Sequence, residues 1–445
     1  MSDLDAEVKS IADALFAGLP ADTSITVELK AERSDFVRVA RSRARQAGHV
    51  EEAELSLRVV LGDASAPREA VGAFSMTRDA SADRARARDL AASLVDQARA
   101  TPPSPFAEHA RPRGTSARSV KEAPPRSDLE ELLGPARDLD LSGHVADGLI
   151  VRAVMSSAGT SHWFETSRSV VDASVYAENG KAVKLQRASS AFDSTGWRRA
   201  LDEARAHLAV IARPPVRLPP GAHRVYLGPM AVAELVEMLS WGCVGEASIR
   251  QGDSPMRRAR EQGLSFSEAF SLAEDFTTGD VPAFTEEGDL APPRVPIVER
   301  GRVVGSLVSS RTAREYGATA NGAQQSEALR APAIEPGTLE GDRVLDALRD
   351  GIYVPNLWYL NWSDQPGGRI TGMTRYATMQ VRGGEAIAPI EDLRFDDTIF
   401  RLFGASLEAL DDSASLVPAT STYEFRSLGG ARVPGVLLRE LSFPS

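Results

Sequence analysis

The sequence predicts an α+β protein with an N-terminal α/β sheet-and-helix domain, a mostly antiparallel middle region and a C-terminal curved mixed β-sheet domain with short helices. The chain has 445 residues, and at about 150 residues per domain this length suggests about two to three domains. Hydrophobic residues make up 42% and charged residues 25% of the chain, which is ordinary globular usage. Helical stripes are few, and most segments of the second half are strand-like.

The N-terminal α/β domain is predicted to cover residues 1–100. It opens on an amphipathic helix, because apolar residues recur at helical spacing until Gly18 and Pro20 break the pattern. Two alternating stretches, 25–29 and 55–61, each fit a strand with one buried face. A second helix over 81–100 carries an apolar stripe and is expected to lie on this sheet.

Residues 101–128 are predicted to be a Pro-rich linker, because six prolines stand among Ser, Arg and Gly with few apolar residues. Residues 129–220 form the predicted middle region. Its segments 149–155 and 170–176 are strand-like, and Asn179-Gly180 indicates a type I′ hairpin. A helix with an apolar stripe from Trp197 to Ile211 ends at Pro214-Pro215 and closes the region.

The C-terminal domain is predicted over residues 221–445. A strand at 224–227 precedes a helix from about 230 to 241 with an apolar stripe. Later segments are rich in β-branched and aromatic residues, with short helices predicted at 312–316 and 398–402. We therefore expect a curved mixed sheet.

Charge and cysteine content exclude several classes of protein. The net charge of −11 disfavours binding to nucleic acid or to an anionic membrane. The N-terminus is acidic and no apolar run approaches about 18 residues, so the sequence predicts neither a signal peptide nor a membrane span. The single cysteine, Cys243, excludes internal disulfides and Cys-rich metal sites and is expected to be an inert thiol. These features favour the cytoplasm.

Common catalytic motifs are missing. No histidine begins an HExxH helix, and the chain has no GxSxG elbow, phosphate loop or GxGxxG fingerprint. Composition and motifs alone therefore leave the function open.

A stretch of about thirty residues resembles the signature of the TldD/TldE (PmbA) family. Glu286-Glu287-Gly288 is followed by VPIVERGRVVGSLVSSRTAREYGATANGA, residues 295–323. This segment matches the family's acidic-Gly turn, its strand with glycines at Gly301 and Gly305, its Ala-x-x-x-Gly helix and its Asn-containing turn. Further similar segments in the same order extend the resemblance over nearly the whole chain.

In this family, the TldD-type subunit resembles a zinc metallopeptidase with an HExxxH helix and a cysteine near the C-terminus. The matching helix here has Val236 and Trp241 at the histidine positions, and only Glu237 matches the glutamate; no cysteine lies in 425–430. The resemblance thus implies a metal-free TldE (PmbA)-type subunit with no catalytic residues of its own. Val236 and Trp241 are expected to pack.

The resemblance also implies partners. It implies a heterodimer with a TldD-type metallopeptidase subunit that carries the zinc, acting on unfolded peptides in proteolysis or peptide maturation. An exposed sheet edge suits this role, because hydrogen bonds to the peptide main chain tolerate many sequences.

Two alternatives stay open. The chain could be a standalone homodimeric peptide-binding or regulatory protein without peptidase activity. It could also be an enzyme with an unrecognised site, in which Glu286, Glu287 and Asp289 bind a hard cation.

Overall fold

The computed structural model describes residues 2–120 and 127–444. The first half of the chain forms, in order, α1 (Ser2–Phe16), β1 (Thr23–Ala40), β2 (Arg43–Leu61), β3 (Arg68–Ser75), α2 (Ala80–Ala100), β4 (Thr115–Arg118), α3 (Leu129–Leu133), β5 (Asp140–Ser156), β6 (Ser161–Tyr176), β7 (Ala182–Ser189) and α4 (Ser194–Ile211). A 3₁₀ turn at Gly134–Ala136 follows α3.

The second half begins with β8 (Gly221–Leu227), α5 (Pro229–Ser240), α6 (Glu246–Gln251), α7 (Met256–Gln262), β9 (Leu272–Asp275), β10 (Arg294–Glu299), β11 (Arg302–Val303), α8 (Ser310–Tyr316), β12 (Pro332–Ile334) and α9 (Val344–Leu348). It continues with β13 (Gly351–Val354), β14 (Asn356–Asp364), β15 (Arg369–Arg375), β16 (Met379–Arg382), β17 (Glu385–Pro389), β18 (Arg394–Thr398), β19 (Leu407–Leu410), β20 (Ser415–Pro418), β21 (Gly430–Val433) and β22 (Val436–Phe443). A 3₁₀ turn (Gly341–Arg343) and a π-helix (Arg401–Ala405) complete it. This content confirms the α+β class.

One seven-stranded sheet occupies the first half, in the order β3-β2-β1-β5-β6-β4 with β7 also on β6. It runs across the predicted boundary at residues 101–128, because β1 pairs with β2 along one edge and with β5 along the other. Within the predicted linker, residues 115–118 form β4, parallel to β6. Residues 121–126 of the linker lie outside the described residues.

The turn between β6 and β7 differs from the prediction. Asn179-Gly180 does connect an antiparallel pair, in which Tyr176 faces Ala182. Gly180 has a φ of +82°, but Asn179 is not among the residues with positive φ. A type I′ turn needs positive φ at both central residues, so the predicted turn type is wrong.

The second half forms three sheets where we expected one. Two have six strands, in the orders β11-β10-β9-β12-β21-β20 and β17-β16-β13-β8-β22-β19, and the third is β14-β15-β18. The two six-stranded sheets are mixed, since β12 and β21 pair in parallel, as do β13 and β8. The three-stranded sheet is antiparallel. One large apolar core joins them around α5, whose Val232, Leu235 and Leu239 are fully buried. The apolar side chains of α5 thus pack in a core that the sheets share.

Among the described residues, no helix is both long and apolar enough to cross a membrane.

Candidate functional site

The site is built around α5, the helix that carries the predicted degenerate ligand positions. Pro229 stands at its first position, where a missing N–H costs nothing, and Gly228 precedes it. The apolar stripe turns one side of the helix to the core, and the helix ends at Trp241, before Gly242 with a φ of +74°. The opposite side, with Glu234 and Glu237, remains exposed.

Two edge strands lie beside α5. In the described part of the chain, β7 pairs only with β6, and β20 pairs only with β21. The two strands lie next to each other although they belong to different sheets. Each therefore has one side whose backbone N–H and C=O groups are not used in a sheet.

Two adjoining cavities follow α5 between these edges. The first, here called the carboxyl-end cavity, measures about 430 Å³ and is lined by the second half of α5 together with residues 417–421 and 427–431. The second, here called the amino-end cavity, measures about 440 Å³ and is lined by the start of α5, by β7, α4 and β20, and by residues 353–356. Gln186 and Val417 line both. The two cavities therefore adjoin at these residues and are together called the groove.

The structure brings most of the predicted positions to the carboxyl-end cavity. Val236 lines it from the buried side of the helix, with 1% of its surface exposed, and Glu237 lines it from the exposed side. Ser427 and Leu428, from the segment where the family has its cysteine, line the opposite wall.

Trp241 does not join them. Its side chain is 62% exposed, so the expectation that it packs is wrong. The residue caps the helix, and the chain changes direction there. Its backbone carbonyl accepts a hydrogen bond of 3.0 Å from Trp362 Nε1, but its indole ring points away from the core.

These residues do not fit a zinc ion. Zinc in proteins is held by thiolate, imidazole or carboxylate donors, whereas Val236 offers none and an indole N–H can only donate a hydrogen bond. Throughout residues 2–120 and 127–444, no group of three or more His, Cys, Asp or Glu side chains is placed to hold a metal ion.

Sequence reasoning missed Glu234, which also lines the carboxyl-end cavity. Partial loss of water around its carboxyl and, after it, the nearby charge of Glu237 together raise its pKa to about 7, while Lys184 and Arg375 oppose the shift. The spacing of Glu234 and Glu237 on one helix face was the available signal. The groove wall therefore carries a carboxyl group whose pKa is raised above its ordinary value.

The acidic turn of the signature does not form a cation site. Lys30 bonds to Glu286 at 3.4 Å and Gln325 bonds to Glu287 at 3.1 Å. Asp289 is paired with Arg113 and accepts a hydrogen bond from Ser310. Each carboxylate thus binds a donor within the protein.

Cys243 follows α5 and is fully buried. Burial raises the pKa of its thiol well above the ordinary value. The thiol is therefore protonated and shielded, as expected for an inert cysteine.

Comparison with known proteins decides the family. Residues 220–445 match the model of the PmbA/TldA metallopeptidase C-terminal domain, which is just over half of the chain. The chain belongs to the PmbA/TldD family. This confirms the resemblance inferred from the signature segment.

Solved structures share the whole PmbA/TldD fold. TldE from Thermococcus kodakarensis is 13% identical, with a TM-score of 0.73, over 99% of this chain and 100% of that chain. A candidate modulator of a DNA gyrase from Thermotoga maritima is 14% identical, with a TM-score of 0.73, over 98% and 99%. Another, from Bacteroides thetaiotaomicron, is 14% identical, with a TM-score of 0.74, over 100% and 99%. A comparison with curated proteins found no match.

Proposed function

We propose that this chain is a noncatalytic TldE (PmbA)-type subunit, which binds unfolded peptide while a TldD-type partner that holds zinc cleaves it. One observation carries the proposal: the groove of a metallopeptidase family is open beside two sheet edges, yet the ligand positions on its helix are Val236 and Trp241.

The two edge strands, β7 and β20, support the proposal that the chain binds peptide. A peptide in extended conformation can add to β20 or β7 and use their unpaired backbone groups. Such main-chain hydrogen bonds are largely independent of peptide sequence, whereas a folded substrate has already used its own backbone groups. The groove therefore suits unfolded segments, such as those removed in proteolysis or peptide maturation.

Dependence on a partner follows from the missing ligands. Glu237 would act as a base on a water molecule made acidic by a metal, and Val236 and Trp241, at the positions that resemble the histidines of HExxxH, offer no donor for that metal. We therefore assign the zinc to the TldD-type partner and propose that the two chains form a heterodimer. We assign this complex to the cytoplasm, because a chain with Cys243 as its single cysteine suits a reducing compartment.

The deciding experiment measures metal content and peptide cleavage for the purified chain, for a TldD-type protein from the same source, and for their mixture. We expect no stoichiometric metal and no cleavage for this chain alone, and cleavage in the mixture. Glu237→Gln in this chain should leave the rate of the mixture within about twofold, because Glu237 does not activate the water.

The matched control replaces the glutamate of HExxxH in the partner, which should abolish cleavage. Loss of cleavage with Glu237→Gln in this chain, or cleavage by this chain alone, would contradict the proposal. A stable homodimer that binds peptide but never associates with a TldD-type protein would favour the standalone alternative.

A binding mode through the edges predicts a further result. Methylation of alternate backbone nitrogens in a model peptide should weaken its binding at least tenfold when the methylated side faces the edge strand, because each methyl group removes one donor. The control peptide carries the methyl groups one residue further along, on the other set of alternate nitrogens. Those nitrogens face away from the edge strand.

A further inference from the structure

The amino-end cavity has features of a binding site that the proposed function does not use. It lies at the N-terminus of α5, a helix of 12 residues. No side chain in the described part of the protein caps this terminus, and the first backbone hydrogen bond of the helix runs from Val232 N–H to Gly228 C=O. The amides of Met230 and Ala231 thus precede the helical ladder, at the positive end of the helix dipole.

An independent observation points to a ligand. Asn356 lines the same cavity and is only 6% exposed, and its Oδ1 has no hydrogen-bond partner among the described residues. Its Nδ2 donates to the sulfur of Met230 at 3.5 Å, which is a weak acceptor. A buried amide oxygen without a partner costs about 1–3 kcal/mol, so a ligand N–H would bind favourably there.

The charged side chains of the cavity leave the helix terminus as its main electropositive feature. Lys184 is paired with Asp172, and Arg187 with Asp193 at 3.1 Å. Glu203 lines the α4 side but is exposed to water, which screens its charge. The wall around α5 therefore offers backbone donors and one acceptor.

We propose that the amino-end cavity binds the free C-terminal residue of the peptide. The carboxylate accepts hydrogen bonds from the first amides of α5, and the last peptide N–H donates to Asn356 Oδ1. Only the C-terminus of a peptide carries this backbone N–H donor and this carboxylate so close together. The inference rests on the proposed function, because it places the end of the peptide that the groove holds.

The groove also sets the distance between the peptide C-terminus and Glu237. Met230 and Glu237 are seven residues apart, or about 10 Å along the helix. An extended peptide covers this distance with about three residues. The C-terminus of the bound peptide therefore lies about three residues beyond the point opposite Glu237.

The test compares two N-acetylated peptides of one sequence, one with a free C-terminal carboxylate and one with a C-terminal amide. Binding to the full chain is measured by calorimetry. We expect the free acid to bind about tenfold more tightly, as a charge at a desolvated helix N-terminus warrants. Asn356→Asp should abolish this preference, because it places a second carboxylate beside the first.

Asn361→Asp is the matched control, because it adds the same charge to the exposed part of the same strand, β14. It should leave the preference intact. Equal binding of the acid and the amide by the unmodified chain would overturn this inference and leave the proposed function standing. Binding of neither peptide would overturn both, and a preference that survives Asn356→Asp in a folded variant would overturn the assignment of the site.

Discussion

At the scale of single residues, the wall of the groove depends on a buried arginine. Arg426 is 2% exposed, and its guanidinium donates to Ser34 Oγ at 3.2 Å and to the carbonyls of Ala146 and Arg168 at 2.9 and 2.7 Å. Burial lowers its pKa to about 10, although Glu32 opposes the shift. This network fixes the segment that holds Ser427 and Leu428 against the N-terminal sheet.

Replacing Arg426 should therefore be costly. Arg426→Ala removes these three hydrogen bonds and leaves the buried carboxyl of Glu32 without its neighbouring positive charge, and we expect a loss of about 3–5 kcal/mol in the free energy of unfolding. Urea denaturation measures it. Arg302→Ala, at an exposed position, is the control and should change stability by less than about 0.5 kcal/mol. Equal effects of the two substitutions would show that the network contributes nothing.

The carboxyl group of Glu246 predicts how the stability of the fold responds to acid. Burial alone would raise its pKa, but hydrogen bonds from Ser306, Arg250 and Arg260 lower the pKa to about 2. A carboxyl with a depressed pKa stabilises the fold above its ordinary pKa of 4.5, and this contribution is lost as the pH falls toward 2.

We expect Glu246→Gln to lose roughly 2–3 kcal/mol of stability at pH 7 and to depend less on pH between 4.5 and 2. Thermal unfolding at several pH values measures both effects. Glu261→Gln provides the control, because Glu261 forms an exposed pair with Arg257 that is worth little. If the unmodified chain and Glu246→Gln lost stability to the same extent as the pH falls below 4.5, the assignment of this acid response to Glu246 would be contradicted.

At the scale of elements, the glycines of the signature segment have different roles. Gly301 joins β10 to β11 with a φ of +78°, and a Cβ there would lie 2.5 Å from the Phe266 carbonyl oxygen. Gly317 ends α8 with a φ of +66°, but a Cβ there would meet nothing within 4 Å. Of these two glycines, only Gly301 combines backbone strain with a steric limit.

Alanine at the two positions separates these effects. Gly317→Ala should cost about 1 kcal/mol, from the left-handed backbone alone. Gly301→Ala should cost roughly 3 kcal/mol or more, because the backbone around Phe266 must also move. Chemical denaturation gives both values, and a Gly301→Ala cost no larger than that of Gly317→Ala would show that the close approach is easily relieved.

At the scale of the whole molecule, the two halves of the chain are joined by buried and charged contacts. Arg168 donates to the carbonyl of Gly429 at 2.6 Å, and Arg426 N–H donates to Glu32 at 2.7 Å. Arg314 donates to the carbonyl of Phe106 at 2.5 Å. The groove lies between elements of both halves, since β7 and β20 line it together.

These contacts predict that the halves unfold together. Far-ultraviolet circular dichroism and tryptophan fluorescence should report one coincident denaturation transition, since neither half keeps its contacts when the other unfolds. Two separated transitions would show that the halves are independently stable. Arg426→Ala is the useful comparison, because it weakens the contact between them and should reduce the coincidence.

The sequence by itself determined the α+β class, most helices, the inert Cys243 and the family, because these depend on local periodicity, on single residue types and on a continuous signature segment. Residues 295–323 identify the family without any knowledge of the fold. That Val236 and Trp241 carry no metal-binding side chain is likewise visible in the sequence.

Only the tertiary structure decided how distant segments meet. The sheet that crosses residues 101–128, the exposure of Trp241 and the groove between β7 and β20 depend on pairings between residues far apart in the chain. The role proposed for Asn356 also depends on the tertiary structure. Nothing in the sequence singles out this residue, and only the fold places it beside the start of α5. Local patterns record which face of an element is apolar, but the choice of partner for that face depends on packing of the whole chain.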